Sequence, residues 1–391
     1  MLDFSNTESA FIAKSNSDLK KAKVLFSFMQ HQNFVKFGKF MYNFASAIKF
    51  PTAWAIRPTI YAHFVAGETL ESSEKAIDLL YKYNVKSVLD YSAEGTKDEN
   101  GIQAIFDETI RIIENAAKHT NSIPYAVFKP TALIVDGILE KKSLGETLSE
   151  QEEAQYKKYE ERMDDLAKRA YELNVRLLVD AEHYAEQTAI DNLVNELMEK
   201  YNKERAIVFN TLQMYRHDRL DHLKNMYNVA IEKGFYYGAK LVRGAYMEEE
   251  RLRAQKMNYR DPICKDKEAT DESYNNGIKF CVEHIDRIEL FSGTHNQKSV
   301  ENLINLMKEN GIEFNSNKIF FAQLYGMSDN LSFNLAKANY NVCKYLPYGP
   351  IKKVMPYLIR RAEENTSIAG QTNRELELIR SEIKRRKSSS R

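Results

Sequence analysis

AIVFNTLQ (Ala206–Gln213), RLDHLKNMYNVAIEK (Arg219–Lys233) and AKLVRGAY (Ala239–Tyr246) follow one another with only short joints between them. The outer two are short, apolar and β-rich, and the middle one has the apolar spacing of an amphipathic helix. Strand, helix and strand in that order predict a parallel βαβ unit. The same texture repeats on both sides. Further β-rich runs lie at Ser87–Tyr91, Tyr125–Leu133, Arg176–His183, Leu290–His295, Ile319–Tyr325 and Val342–Tyr348, and helical patterns such as Glu301–Asn310 fall between them. Eight units over residues 86–349 match the ~250 residues typical of a (β/α)8 barrel. A doubly wound open sheet is the alternative architecture.

Outside these units the pattern is helical. At roughly 150 residues per domain, the 391 residues predict two or three domains. One barrel with additions accounts for the same length: an N-terminal helical extension over 1–84, the barrel over 85–370, and a C-terminal helix with a basic tail over 371–391. Ser17 and Asp18 before Leu19 are expected to cap a helix running to Met29. Ser143–Arg169 is strongly charged and reads as a solvated helical insertion after the second strand. Ser381–Arg391 ends in Lys384, Arg385, Arg386, Lys387 and serines, and reads as a frayed tail.

Composition excludes several classes. Aromatic content is 11%, and glycine and proline number only 15 and 8, so the chain is not disordered. Lys and Arg total 56 against 55 Asp and Glu, a net charge of +1, which gives no reason to expect a nucleic-acid partner. Cys264, Cys281 and Cys343 lie far apart, form no C-x-x-C pair and suggest a reducing compartment without a zinc site. Uncharged stretches such as Pro58–Gly67 are far shorter than the ~20 apolar residues of a membrane span. The start, MLDFSNTESAF, resembles neither a signal nor a transit peptide. A cytoplasmic location is expected. Phe34–Phe50, with Lys36, Lys39 and Lys49 among aromatic residues, reads as a helix packing on the main domain. Its sharper reading is an amphipathic helix resting on the inner face of the cell membrane.

No dinucleotide-binding glycine fingerprint, P-loop, zincin motif or hydrolase elbow is present. A barrel does not need one, because its loops at the strand C-termini build the site. Polar residues cluster at six such ends: Lys129-Pro130-Thr131, Asp180-Ala181-Glu182-His183, Gln213-Met214-Tyr215, Lys240 to Tyr246, Gly293 to Asn296, and Lys344 to Pro350. Near the C-terminus, Tyr357 lies three residues before Arg360 and four before Arg361, and Glu364 follows on the same face. Adjacent arginines on a helix aim two guanidinium forks about 100° apart, an arrangement suited to clamping one carboxylate. The alternative is a basic helix face paired with Glu363 and Glu364.

Taken in order, KLVRGAYMEEER (Lys240–Arg251), GTHN (Gly293–Asn296), FAQLYGM (Phe321–Met327), KYLPYGP (Lys344–Pro350) and YLIRRAEEN (Tyr357–Asn365) resemble the proline dehydrogenase family. FNTLQMY (Phe209–Tyr215) and VDAE (Val179–Glu182) add to the resemblance, which covers roughly residues 85–370 and is closer to the mitochondrial-type branch. It implies a monofunctional flavoenzyme on a distorted (β/α)8 barrel. Such an enzyme binds FAD and oxidises L-proline to Δ1-pyrroline-5-carboxylate, with hydride passing from proline C5 to flavin N5. It also implies quinone as electron acceptor, hence peripheral contact with a membrane.

By the same resemblance, Asp180 and Lys240 are the catalytic pair. Arg360 and Arg361, with Lys129, hold the substrate carboxylate, and Tyr246, Leu324, Tyr345 and Tyr357 wall the ring. Ala181, Gln213, Val242, Arg243, Gly244, Ala245, Thr294, His295, Asn296 and Glu364 contact FAD, and no residue binds a metal. Many bacterial members carry Arg where this chain has Lys240. The cation is kept but a bidentate hydrogen bond is lost. Hydroxyproline dehydrogenases have a smaller Ser where this chain has Tyr345, so the tyrosine favours proline. Two rivals stay open from the residues alone: a Schiff-base barrel aldolase using Lys129 or Lys240, and a membrane-associated scaffold.

Overall fold

The βαβ unit forms as predicted. Val208–Gln213 and Tyr237–Val242 are parallel strands, Thr211 opposite Lys240 and Gln213 opposite Val242, joined by the helix Arg219–Lys233. That helix stops at Gly234, whose φ of +69° is the left-handed C-cap that glycine adopts without steric cost. The computed structural model describes residues 2–31, 53–92, 98–367 and 371–389. The stretch Phe34–Phe50 and the Glu364 side chain lie outside the described residues.

Eight parallel strands close into a barrel in chain order. They are β1 (Lys86–Tyr91), β2 (Tyr125–Phe128), β3 (Arg176–Val179), β4 (Val208–Gln213), β5 (Tyr237–Val242), β6 (Ile288–Gly293), β7 (Ile319–Leu324) and β8 (Val342–Tyr348). Every residue of β2, β3 and β4 is buried, the signature of parallel strands covered on both faces.

Where the observed ends differ from expectation, the cause is local. The run Tyr125–Leu133 yields a strand only to Phe128. Pro130 lacks an N–H and holds Lys129 extended, so Pro130–Leu133 becomes a 3-10 turn. In the third run the strand ends at Val179, and Asp180 to His183 lead into the helix Tyr184–Tyr201. The fifth strand begins two residues earlier than read, at Tyr237, and ends at Val242. Lys129, Asp180 and Arg243 therefore each sit immediately beyond a strand's C-terminal end, the position where barrels build their sites.

The chain forms two compact units, Gly95–Ala322 and the combination of Met1–Glu94 with Gln323–Arg391. In the first, Tyr125 of β2, Phe209 of β4 and Phe291 of β6 meet, with ring centroids 5.5 and 4.9 Å from Tyr125. Contribution from alternate strands is how a barrel interior fills. Two helices follow β2: the short additional Ile138–Leu144 and the 23-residue Glu150–Glu172. The charged Ser143–Arg169 segment is solvated on one face only, because Tyr159, Met163, Leu166 and Ala170 bury the other. The long helix is thus the crossover between β2 and β3. Ser149 and Glu152 form its capping box, a start that accounts for its sharp N-terminus.

In the second unit the helices Asn16–Met29, Ile351–Ser367 and Gln371–Ser389 share one apolar core that includes Leu19, Phe26, Phe64, Leu358 and Leu376. The first of these is capped by Ser15 rather than Ser17, and Asp18 completes the capping box from the third helical position. The C-terminal segment is not frayed through residue 389. The fully buried Glu382 takes both Arg385 and Arg386, and Arg386 also donates to the carbonyls of Phe11 and Lys14.

Beneath these helices lies a buried ionic cluster. Lys344 on β8 pairs with Asp329 at 2.8 Å, Lys14 lies 3.9 Å from Asp329, and Glu375 accepts the Ser328 N–H at 2.6 Å. Burial, then the neighbouring Asp329, push the Glu375 carboxyl up to about 7. Burial, then Lys14, bring His63 down to about 4. The two shifts oppose each other. Glu375's contribution to stability is full below its ordinary value of 4.5 and is lost as pH rises through 7. His63's is full above 6.5 and is lost as pH falls through 4. Glu375→Gln removes the first and keeps an acceptor for Ser328. The variant is expected to match wild type in melting temperature near pH 4.5 and to exceed it by pH 8. Thermal melts across that range measure the gap, on the order of 3 kcal/mol at ~1.4 kcal/mol per unit.

Candidate active site at the strand ends

In the Gly95–Ala322 unit, the ends of β2 to β6 bring together most of the residues that the sequence nominates. Lys240, only 5% exposed, donates to Asp180 across the ends of β5 and β3. An ammonium buried this far requires such a partner, since desolvation of an isolated charge is very costly. The neighbouring Glu182 is equally buried. Its carboxylate accepts from Thr131 Oγ1 at 3.0 Å and Tyr246 Oη at 3.1 Å. Burial raises its pKa, Asp180 adds to the rise, and Lys129 with the two hydroxyls works against it. Two acids, Asp180 and Glu182, and two cations, Lys240 and Lys129, thus share this end of the unit.

The loop after β5 is equally well fixed. Arg243 donates to Asp271 at 2.7 Å, to Thr294 at 2.7 Å and to Ser299 at 2.9 Å, and its guanidinium lies 4.5 Å from the Tyr274 ring centre. Gly244 has φ +146°, and a Cβ there would meet the Tyr215 ring at 2.5 Å, so only glycine fits. Gln213 bridges two strand ends: its amide donates to the Glu182 carbonyl at 2.8 Å and accepts the Ala245 N–H at 3.2 Å. Val242, Ala181 and His295 are half-buried beside these groups in the chain, and Gly244 and Ala245 are exposed. Thr294 is buried. Asn296 caps the helix Gln297–Glu309 by accepting the Ser299 N–H, a structural duty its sequence context does not announce.

The other unit carries the remaining nominees. Leu324 ends β7 and Tyr345 lies within β8, where its carbonyl accepts the Tyr325 N–H at 3.0 Å. Tyr357, Arg360 and Arg361 share the helix Ile351–Ser367, downstream of Pro356. Arg361 is 8% exposed, with its guanidinium 5.2 Å from the Tyr357 ring centre, and Arg360 is half-buried.

Several residues in this machinery escape a reading of the sequence. Glu182 stands in a nominated strand end, yet nothing there distinguishes it from Asp180. Thr131 follows Lys129 by two, and its role depends on the 3-10 turn. Gln187 and Asp271 lie near the starts of the helices Tyr184–Tyr201 and Lys267–Glu283 among other polar residues and carry no signal. Among the described residues, no group of three or more His, Cys, Asp or Glu is placed to hold a metal ion, and no helix is long and apolar enough to cross a membrane.

Comparison with known proteins bears on the family and the fold. A relative in Pectobacterium carotovorum subsp. carotovorum, named as the carbapenem antibiotics biosynthesis protein CarD, is 34% identical over 323 residues, 83% of each chain. The human mitochondrial proline dehydrogenase 1 is 42% identical over 241 residues, 61% of this chain, although this chain spans only 40% of its length. Among solved structures, proline utilization A of Bdellovibrio bacteriovorus, inactivated by N-propargylglycine, superposes with a TM-score of 0.74. That match covers 84% of this chain and 36% of the other at 20% identity, so it speaks to the fold alone. The family model described as proline dehydrogenase matches residues 73–374, and the chain belongs to the proline dehydrogenase family.

Proposed function

We propose that this protein oxidises L-proline to Δ1-pyrroline-5-carboxylate with FAD as its cofactor and a quinone as the final electron acceptor. The observation that carries the reading is the Lys240–Asp180 pair, a buried ammonium on a half-buried carboxylate, at the strand ends of a barrel in this family. The donors around it suit a flavin dinucleotide. Arg243, Thr294 and Asn296 offer a cation and hydrogen-bond donors next to the exposed residues Gly244 and Ala245, with Gln213, Ala181, Val242 and His295 adjoining. FAD, when bound, supplies the two-electron oxidant that no side chain can provide.

The protein's share is orientation and charge. In this reading Arg360 and Arg361, joined by Lys129, hold the proline carboxylate, and fixing one end of a five-membered ring fixes C5. Tyr246, Leu324, Tyr345 and Tyr357 wall the ring. Asp180, its charge balanced by Lys240, sits near the amine. The surrounding cations lower the amine pKa and favour the free base that can release hydride. Barrel and site fall within the proposed segment 85–370. The lysines set among aromatic residues in the sequence of 34–50 support contact with the inner face of the membrane, where a cytoplasmic enzyme would meet its quinone.

The purified protein is expected to be yellow, with flavin absorption near ~450 nm that bleaches when proline is added without oxygen. A colourless protein that stays inactive with added FAD would point instead to an aldolase or a scaffold, which borohydride trapping with a carbonyl substrate or vesicle binding would then separate. Tyr345 adds a specificity expectation: kcat/KM for proline exceeds that for trans-4-hydroxyproline, and the reverse order would assign the chain to the hydroxyproline enzymes.

A further inference from the structure

One buried hydrogen-bond chain runs from the outer helices of the Gly95–Ala322 unit to its strand ends. Arg219 Nη1 donates to Asp191 Oδ2 at 2.6 Å. Asp191 Oδ1 accepts from Gln187 Nε2 at 2.8 Å and from Asn210 Nδ2 at 2.9 Å. Gln187 Oε1 accepts the Glu182 N–H at 2.8 Å, the Glu182 carbonyl accepts Gln213 Nε2 at 2.8 Å, and Gln213 Oε1 accepts the Ala245 N–H at 3.2 Å. Gln187 is 2% exposed, and Asp191, Glu182 and Gln213 are buried with it.

The direction of this chain is determined. Asp191, ion-paired to Arg219, offers only acceptors, so the Gln187 amide must point its nitrogen outward and its oxygen at the Glu182 peptide. Glu182 is then held on both sides of its backbone, and its carboxylate holds Tyr246 and Thr131. We propose that Gln187 is a positioning residue: it touches neither substrate nor cofactor and sets the Glu182 peptide, and through it the Tyr246 ring and the Gln213–Ala245 contact. The inference rests on the proline reading above, in which Tyr246 walls the substrate ring.

Gln187→Leu keeps the bulk and removes the acceptor, leaving the Glu182 N–H buried and unpaired. In the holoenzyme, proline KM is expected to rise about tenfold while kcat changes less than threefold. Amide hydrogen exchange at Glu182 should quicken at least tenfold relative to the amides of β4. Tyr246→Phe cuts only the final hydroxyl contact, so it should raise KM in the same direction with little change in melting temperature. Arg219→Met removes a stabilising ion pair while Asp191 still orients Gln187, so it should lower the melting temperature and leave KM within twofold. A wild-type KM in Gln187→Leu, or an equal KM rise in Arg219→Met, overturns the proposal. If wild type does not turn over proline at all, the functional reading fails instead, and the exchange measurement still decides whether Gln187 holds the Glu182 peptide.

Discussion

Arg360→Met and Arg361→Met are each expected to lower kcat/KM for proline by two to three orders of magnitude, mainly through KM. The two arginines are adjacent on one helix, which sets their guanidiniums about 100° apart, and in the proposed reading they grip a single carboxylate from two directions. Losing one partner of a desolvated charge pair costs roughly 2–5 kcal/mol, and tenfold in binding is about 1.4 kcal/mol. The pair should not behave identically. Arg361 is buried against Tyr357, so its loss also loosens a proposed ring wall, and some of its cost should appear in the melting temperature. The half-buried Arg360 should show the cleaner effect on KM. Lysine at either position keeps the charge but not the fork, and should recover only part of the loss. Steady-state kinetics with matched thermal melts and flavin content check all three points, and wild-type KM in both methionine variants would remove the clamp from the reading.

The barrel is legible because its evidence is local and repeated. Runs such as Val342–Tyr348 are apolar, β-rich and bounded by polar joints, and the βαβ rhythm leaves few architectures of that length. Strand ends are less legible, because they depend on the residues downstream of the strand. Pro130 announces its own effect at β2, whereas the end of β3 at Val179 is set by the turn into the next helix. The site divides in the same way. Lys240 and Asp180 stand at the strand ends that any barrel uses, so their types and positions nominate them. Gln187 and Asp191 are invisible in sequence, since a buried helical glutamine is written with the same letter as a solvated one. Their role exists only once the fold directs the Gln187 amide at the Glu182 peptide. The tail shows the opposite error: four basic residues suggest solvent, yet Glu382, buried beneath them, gathers Arg385 and Arg386 into a helix.

Lys240→Met is expected to cost about 2–3 kcal/mol of stability, less than the ~3–5 kcal/mol for a fully buried charge left without its partner, because the orphaned Asp180 is only half-buried. Asp180 would remain beside the buried Glu182, which raises the penalty because two acids would then share the end of β3 with fewer cations. The double variant Lys240→Met/Asp180→Leu removes both charges. A buried pair replaced by well-packed apolar groups is often neutral in stability, so the double variant should melt close to wild type. Its activity should not return. If Asp180 and Lys240 handle the amine and the charge that develops beside it, an apolar pair supplies neither, and turnover with proline should stay at least a hundredfold below wild type. Lys240→Arg provides the intermediate case, keeping the cation while changing its hydrogen-bond geometry, and should retain far more activity than Lys240→Met. Urea unfolding and steady-state kinetics on the four proteins separate stability from chemistry. Recovery of both stability and turnover in the double variant would show that the pair only holds the barrel together, and recovery of stability alone assigns it to the reaction.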